Sequence, residues 1–275
     1  MPNGKGLAIV LIAVEYLGDI GVGVTSPRLF RANDGNIYVV KLQNNRLGPK
    51  VLVNEYLACQ FAKTLDLCFP EGGIIRLEAP FIEKNKRLKA ARVKAGCHFA
   101  SRYLSGSEYV GRRNLAKAAN KSQMAGIMLF DHFFHNLDRT WNRKNLLLRR
   151  EANAYRLYAI DNSHLFRRGR WSIASLNKLV DRGSINKRRA FGWLIKHYLK
   201  QEDFTVYIER IKGMTDKELR LMVAEIPGEW LPDQAERDAL TDYLLKRRDR
   251  VDRIAEQIIQ LIPDVNRTAY LDKHE

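Results

Sequence analysis

A chain of 275 residues with 45% hydrophobic and 28% charged positions has the length and apolar content to bury a core, which excludes a disordered chain. Its formal net charge of +16 attracts anions from nucleotides to nucleic acid and acidic proteins, yet the charge is spread over clusters at 84–94, 167–170, 187–189 and 246–250, with no separate basic arm. Three cysteines, Cys59, Cys68 and Cys97, are odd in number and lack C-x-x-C spacing, which argues against a disulfide framework or a zinc site and for a reducing, cytoplasmic setting.

The first 43 residues read as β structure, with apolar runs at 7–14, 22–24 and 37–41. The run at 7–14 is too short to span a bilayer and no cleavage site follows it, so it is expected to be a buried strand. Asp34-Gly35-Asn36 supplies the positive φ values of a tight hairpin turn. Gly18, Gly21 and Gly23, followed by Thr25 and Ser26, are small enough for backbone N–H groups to approach a phosphate. An ordinary turn with a glycine bulge is the more frequent meaning of such spacing. No G-x-x-x-x-G-K-[ST] motif occurs, which excludes a P-loop NTPase.

Lys41 closes a strand that is apolar on both faces, where it is costly to bury unless an anion meets it or its ammonium reaches solvent. Gly48-Pro49 then opens a helix whose pattern runs to Leu65, and Glu55 falls on the same stripe as Ala58, Ala62 and Leu65. An inward lysine followed by an inward glutamate suggests an ion pair. Residues 70–104 return to β and turn character, and within them the basic run at 83–94 reads as a solvated hairpin or a short helix.

From Arg113 the spacing turns helical, through Leu115, Ala119, Gly126, Leu129 and Phe133. His132 and His135 lie one turn apart beside Asp131, but the Phe-rich context and the lack of a third ligand favour a packed helix face over a metal site. Beyond Trp171 several helices are expected, with breaks near 183, 213, 227 and 263 and one long amphipathic pattern over 234–261.

Between these helical regions lies the stretch 130–166, FDHFFHNLDRTWNRKNLLLRREANAYRLYAIDNSHLF. Two apolar runs, 146–148 and 155–160, flank a polar turn. If they pair antiparallel, Asn145 and Asp161 become neighbours, with Asp138 arriving from the loop upstream. An amide oxygen and a carboxylate at one strand end make a hard-oxygen site suited to Mg²⁺ and phosphate, and a further carboxylate suits the proton of an attacking hydroxyl.

N-x-D-R followed by N-L-L, and then an apolar strand ending in I-D, resembles the catalytic core of the HipA-like kinases, bacterial relatives of protein and phosphoinositide kinases. The resemblance covers roughly residues 20–166 and implies an α+β, two-lobed protein-kinase-like fold, with a β-rich N-lobe over 1–105 and a helical C-lobe over 106–275. It implies an ATP-dependent kinase transferring the γ-phosphoryl group to a hydroxyl, most readily Ser or Thr of a protein, with a lipid or small molecule as the alternative. Asp138, Lys41 and Glu55 would be catalytic, Asn145 and Asp161 would hold Mg²⁺, and Gly21, Gly23, Thr25, Ser26 and Lys41 would bind ATP. The usual asparagine follows the catalytic aspartate by five residues; here Asn145 follows by seven, position 143 is Arg, and Asn142 is a rival ligand. Asn162 and Ser163 stand where D-F-G would place Phe and Gly. Larger HipA-type toxins carry an additional N-terminal subdomain for which this chain has no room, so an antitoxin partner is not implied. No membrane span is expected. A degenerate kinase fold that binds nucleic acid or an acidic partner is the rival reading, supported by the charge but not by the retention of Lys41, Glu55, Asp138 and Asp161.

Overall fold

The structure is a computed structural model that describes residues 11–265 apart from 22, 184–186 and 188, with the side chains of 140, 143 and 189 also outside the description. Residues 7–10 of the first apolar run lie outside the described residues; its remainder opens strand β1 (Leu11–Asp19).

Strands β1, β2 (Arg28–Ala32) and β3 (Ile37–Lys41) form a meander. The β2–β3 hairpin turns at Gly35, whose φ of 81° is open to glycine, while the Asp34 carboxylate accepts from Asn36 N at 3.0 Å. Of the run expected at 22–24, residue 22 lies outside the described residues, and Gly23 and Val24 form no strand: Val24 is 55% exposed in the β1–β2 turn. The strand begins at Arg28 instead, where Phe30 and Ala32 alternate into the barrel interior.

Helix α1 (Lys50–Leu65) follows, capped at Pro49 and ended by Asp66 in the left-handed conformation. Gly48, at φ 87°, reverses the chain into it. Then come β4 (Gly72–Leu77), α2 (Ala79–Lys84), α3 (Lys86–Ala90) and β5 (Gly96–Arg102). Residues 80–82 are helical rather than β, because Pro80 sits in the first turn of a helix, where its missing N–H costs nothing. The basic run contributes α3, capped by the Asn85 side chain. The five strands close into a barrel in the order β1-β2-β3-β5-β4, sealed by a parallel contact of β1 with β4.

Strand β6 (Glu108–Tyr109) and α4 (Arg112–Leu115) lead into α5 (Met124–Phe133), which is buried along its whole length. The short α6 (Asp138–Trp141) precedes the hairpin of β7 (Leu146–Glu151) and β8 (Ala154–Ala159), which pairs with β6. Helices α7 (Ile173–Val180), α8 (Arg189–His197), α9 (Glu202–Lys212), α10 (Asp216–Ala224), α11 (Gln234–Arg248) and α12 (Val251–Ile259) complete the C-terminal part. The pattern over 234–261 is two helices, broken at Asp249 and Arg250, where Arg248 bonds Asp249 and Asp216.

One core fills the barrel; a larger one joins α1 to the C-terminal helices. Phe61 of α1 meets Phe134 at 4.8 Å between ring centres, Phe134 meets Phe166, and Phe166 meets Tyr243 of α11. The outer flank of α1 is held by residues far along the chain. Lys50 pairs with Glu236 and donates to Trp171 O, and Tyr56 donates to Glu225 at 3.2 Å. Glu229 accepts from Gln43 and from the Cys97 amide, and Trp230 donates to Cys97 O at 2.9 Å. With partners on both sides, α1 is buried nearly all round, which removes the polar face of an ordinary surface helix. Among the described residues, no helix is long and apolar enough to cross a membrane.

Candidate active site

The sequence places Lys41 at the end of β3 and Glu55 in the second turn of α1, and both are buried, at 7% and 3% exposure. Lys41 Nζ binds Glu55 Oε1, Asp161 Oδ1 at 2.8 Å and Ser163 Oγ at 2.7 Å. Burial pulls the Lys41 ammonium down, but the Asp161 and Glu55 carboxylates override it and hold the pKa above the usual lysine value. Burial alone would raise Asp161; Lys41 and the Ser163 hydrogen bonds bring it well below the usual carboxylate range. The Lys41 ammonium and the Asp161 carboxylate are therefore charged at neutral pH.

The hairpin pairs Leu146 with Ala159, and Ile160 N donates to Asn145 O at 3.0 Å, so Asn145 and Asp161 flank the same strand end. Asn145 Nδ2 donates to Asp138 Oδ2 at 2.6 Å. Asn142 instead accepts from its neighbour Lys144 N, capping the turn that leads to Asn145. Arg139 is a brace: its guanidinium bonds Asp131, Asn145 O, Ile160 O at 2.5 Å and Asn162 Oδ1 at 2.6 Å. It ties the loop before the hairpin to the segment after it.

The donors needed for a divalent cation fit this arrangement. Asp161 Oδ1 is taken by Lys41, Ser163 Oγ and Ser163 N, and Asn145 Nδ2 is taken by Asp138. Asp161 Oδ2 and Asn145 Oδ1 have no partner among the described residues, two hard oxygens of the kind Mg²⁺ takes together with phosphates and water. No group of three or more His, Cys, Asp or Glu among the described residues forms a cage by itself. His132 lies on the buried face of α5 and is bonded to Met128 O, whereas His135 lies past the helix end, at a left-handed φ of 52°, and is bonded to Leu179 O.

Gly21, Gly23, Thr25 and Ser26 lie in the β1–β2 turn, with left-handed backbone at Gly21, Gly23 and Ser26 and Thr25 buried. No hydrogen bond joins this turn to Lys41 or Asp161 among the described residues. Behind Asp161 a cavity is lined by Glu55, Cys59, Phe69, Phe99 and Ala159.

Residues with no assigned part in the sequence reading complete the site. Ser163 Oγ touches Asp161, Glu55 and Lys41; Asn162 N donates to Glu55 Oε1 at 3.0 Å; and Asn54 donates to Ser163 O and Gly169 O. Asn162 and Ser163 were visible only as a departure from D-F-G. The signal available was their position directly after a carboxylate at a strand end.

A family model described as HipA-like kinase matches residues 13–257. Among solved structures, the Helicobacter pylori proinflammatory kinase CtkA is similar with a TM-score of 0.58 and 14% identity, over 90% of this chain and 96% of that chain. The Golgi casein kinase with Mn/ADP bound is similar with a TM-score of 0.50 and 10% identity, over 93% of this chain and 73% of that chain. Likeness at these identities is a likeness of fold, and it is the two-lobed α+β fold that the sequence led us to expect. No curated protein sequence matches the chain.

Proposed function

This chain belongs to the HipA-like kinase family, and we propose that it transfers the γ-phosphoryl group of ATP to a hydroxyl, with Ser or Thr of a protein as the acceptor. A fold neighbour is named for a protein substrate, casein, and its structure described above holds Mn/ADP, which supports a protein acceptor and a nucleotide with a divalent ion. In this reading residues 1–105 form the nucleotide-covering lobe and 106–275 the lobe that brings the acceptor.

Lys41 binds the α- and β-phosphates and Glu55 keeps its ammonium aimed at them. Backbone amides around Gly21 and Gly23, with Thr25 and Ser26, cover the phosphates from the β1–β2 turn. Asp138 orients the acceptor hydroxyl and takes its proton as the oxygen attacks phosphorus. Asn145 and Asp161 would hold Mg²⁺, whose chemistry is to neutralise charge on the β- and γ-phosphates. The protein's share is positioning and fixed charge.

The observation that carries the reading is the junction at Lys41: one ammonium joins Glu55 of α1 to Asp161 at the end of β8, while a metal-competent oxygen stays open on Asp161. Thermal unfolding with ATP, with and without Mg²⁺, tests it on wild type and Asp161→Ala. A ligand at about 100 times its dissociation constant stabilises by about 2.7 kcal/mol, a shift of a few degrees. A Mg²⁺-dependent shift lost in Asp161→Ala supports the site. No shift, or an equal shift from any polyanion, overturns it in favour of a basic binding module.

A further inference from the structure

His164 stands beside Asp138 with an unused ring nitrogen. Its Nδ1 lies 3.7 Å from Asp138 Oδ2, is shut off from solvent, and has no hydrogen-bond partner. The rest of the ring is not enclosed: the side chain is 32% exposed. The other histidines of the interior are engaged through their ring nitrogens. His98 accepts from Gln43 N and meets Lys94 O, His132 meets Met128 O, and His135 meets Leu179 O. A buried polar atom left without a partner is uncommon and calls for a ligand or a reaction to explain it.

The backbone fixes this ring from both sides. Ser163 O accepts from Asn54 of α1, Phe166 N donates to Phe134 O at 2.7 Å, and Arg167 N donates to His135 O at 3.0 Å. Phe166 and Arg167 both take left-handed φ values, 58° and 75°, and the chain folds back so tightly that a Cβ on Gly169 would lie 2.1 Å from Ser163 O. Strain of this kind persists where the surroundings over-determine it. Here its effect is to hold His164 against the carboxylate that the proposed reaction uses.

We propose that His164 is the proton-relay partner of Asp138, carrying the acceptor's proton from the carboxylate to solvent. The inference rests on the phosphotransfer reading above. The acceptor O–H bond breaks as its oxygen bonds to the γ-phosphorus. The bond from that phosphorus to ADP breaks, and its electron pair leaves with ADP. The proton passes to Asp138, then to His164 Nδ1, and the exposed edge of the ring releases a proton to water. Asp138 Oδ2 already accepts from Asn145, so the carboxylate sits between an amide that fixes it and an imidazole that empties it.

Single-turnover transfer of labelled γ-phosphate from MgATP, to water and to the chain itself, tests the assignment in wild type, His164→Gln, His164→Ala and Asp138→Ala. The expected result is transfer slower by about 100-fold in both His164 variants, the lower end of what general acid–base groups contribute. Their melting shift with MgATP stays that of wild type, and added imidazole restores His164→Ala by about tenfold but leaves Asp138→Ala unchanged. Wild-type rates in the His164 variants overturn the relay, as does a loss accompanied by loss of the nucleotide shift and indifferent to imidazole. Wild type with a shift and no transfer overturns the relay alone, because no proton then moves. Wild type with neither overturns the kinase reading as well.

Discussion

Arg139 and Asp131 form an ion pair with both side chains at 0% exposure, guanidinium Nε to carboxylate Oδ2 at 2.9 Å. Burial raises the Asp131 carboxyl to about 6 against the pull of Arg139. Removing one partner leaves a buried charge unmatched. Arg139→Ala is therefore expected to cost about 3–5 kcal/mol in denaturant unfolding, while Arg139→Met with Asp131→Leu recovers most of that loss. The double variant still lacks the guanidinium that holds Asn145 O and Ile160 O, so its nucleotide-dependent melting shift should stay absent after stability returns.

Ser163 Oγ lies 2.5 Å from Asp161 Oδ1 and also meets Lys41 and Glu55. Ser163→Ala keeps the backbone but frees Asp161 to turn. Under the proposed reaction it is expected to lower the rate of phosphoryl transfer by about tenfold, the loss of one hydrogen bond to a charged group. Equal rates in Ser163→Ala and wild type would remove the hydroxyl from the site's machinery.

Trp230 is 1% exposed, edge-on to Tyr56 and bonded to Cys97 O. Trp230→Ala should destabilise by about 3–5 kcal/mol. It should also loosen β5 and α1 together, read as faster amide exchange at both elements. Protection lost only around residue 230 would show that the contact is local.

His132 and His135 are held neutral, with burial pushing their values down to about 4 and about 3. A base whose folded value is depressed contributes stability that is present above the unfolded value and lost as pH falls toward the folded one. Between pH 7 and pH 5 each histidine should remove about 2 kcal/mol. Asp131 acts in the opposite sense, since its raised value favours the fold as pH drops through about 6. His132→Gln, though less stable at pH 7, is expected to lose less stability than wild type on going to pH 5 in urea titrations. Parallel losses would show that His132 is not a source of the acid sensitivity.

Much of the site was legible because its signals are local. Gly48-Pro49 marks the start of α1, Asp34-Gly35 marks the β2–β3 turn, and the two apolar runs after Asn145 fix a register that brings Asn145 to the strand end before Asp161. What failed was local too, but masked. Arg28 and Arg31 interrupt the apolar alternation of β2, and Pro80 resembles a breaker where it is a helix opener. The α11–α12 break has neither glycine nor proline; a side-chain network around Arg248 makes it. The cross-links from Asn54 to Ser163 and from Glu229 to Cys97 join residues more than a hundred positions apart, so no window of sequence contains them.

The grip of residues 225–236 on α1 and β5 has a consequence for how the molecule is made. Domains generally fold N-terminal first as the chain leaves the ribosome. Here the barrel can close early, but the helix that bears Glu55 acquires its outer supports only when Glu225, Trp230 and Glu236 have been translated. The outer flank of that helix is thus unsupported until residue 236 has been made, and a nascent chain stopped before it carries Glu55 on a helix without those contacts.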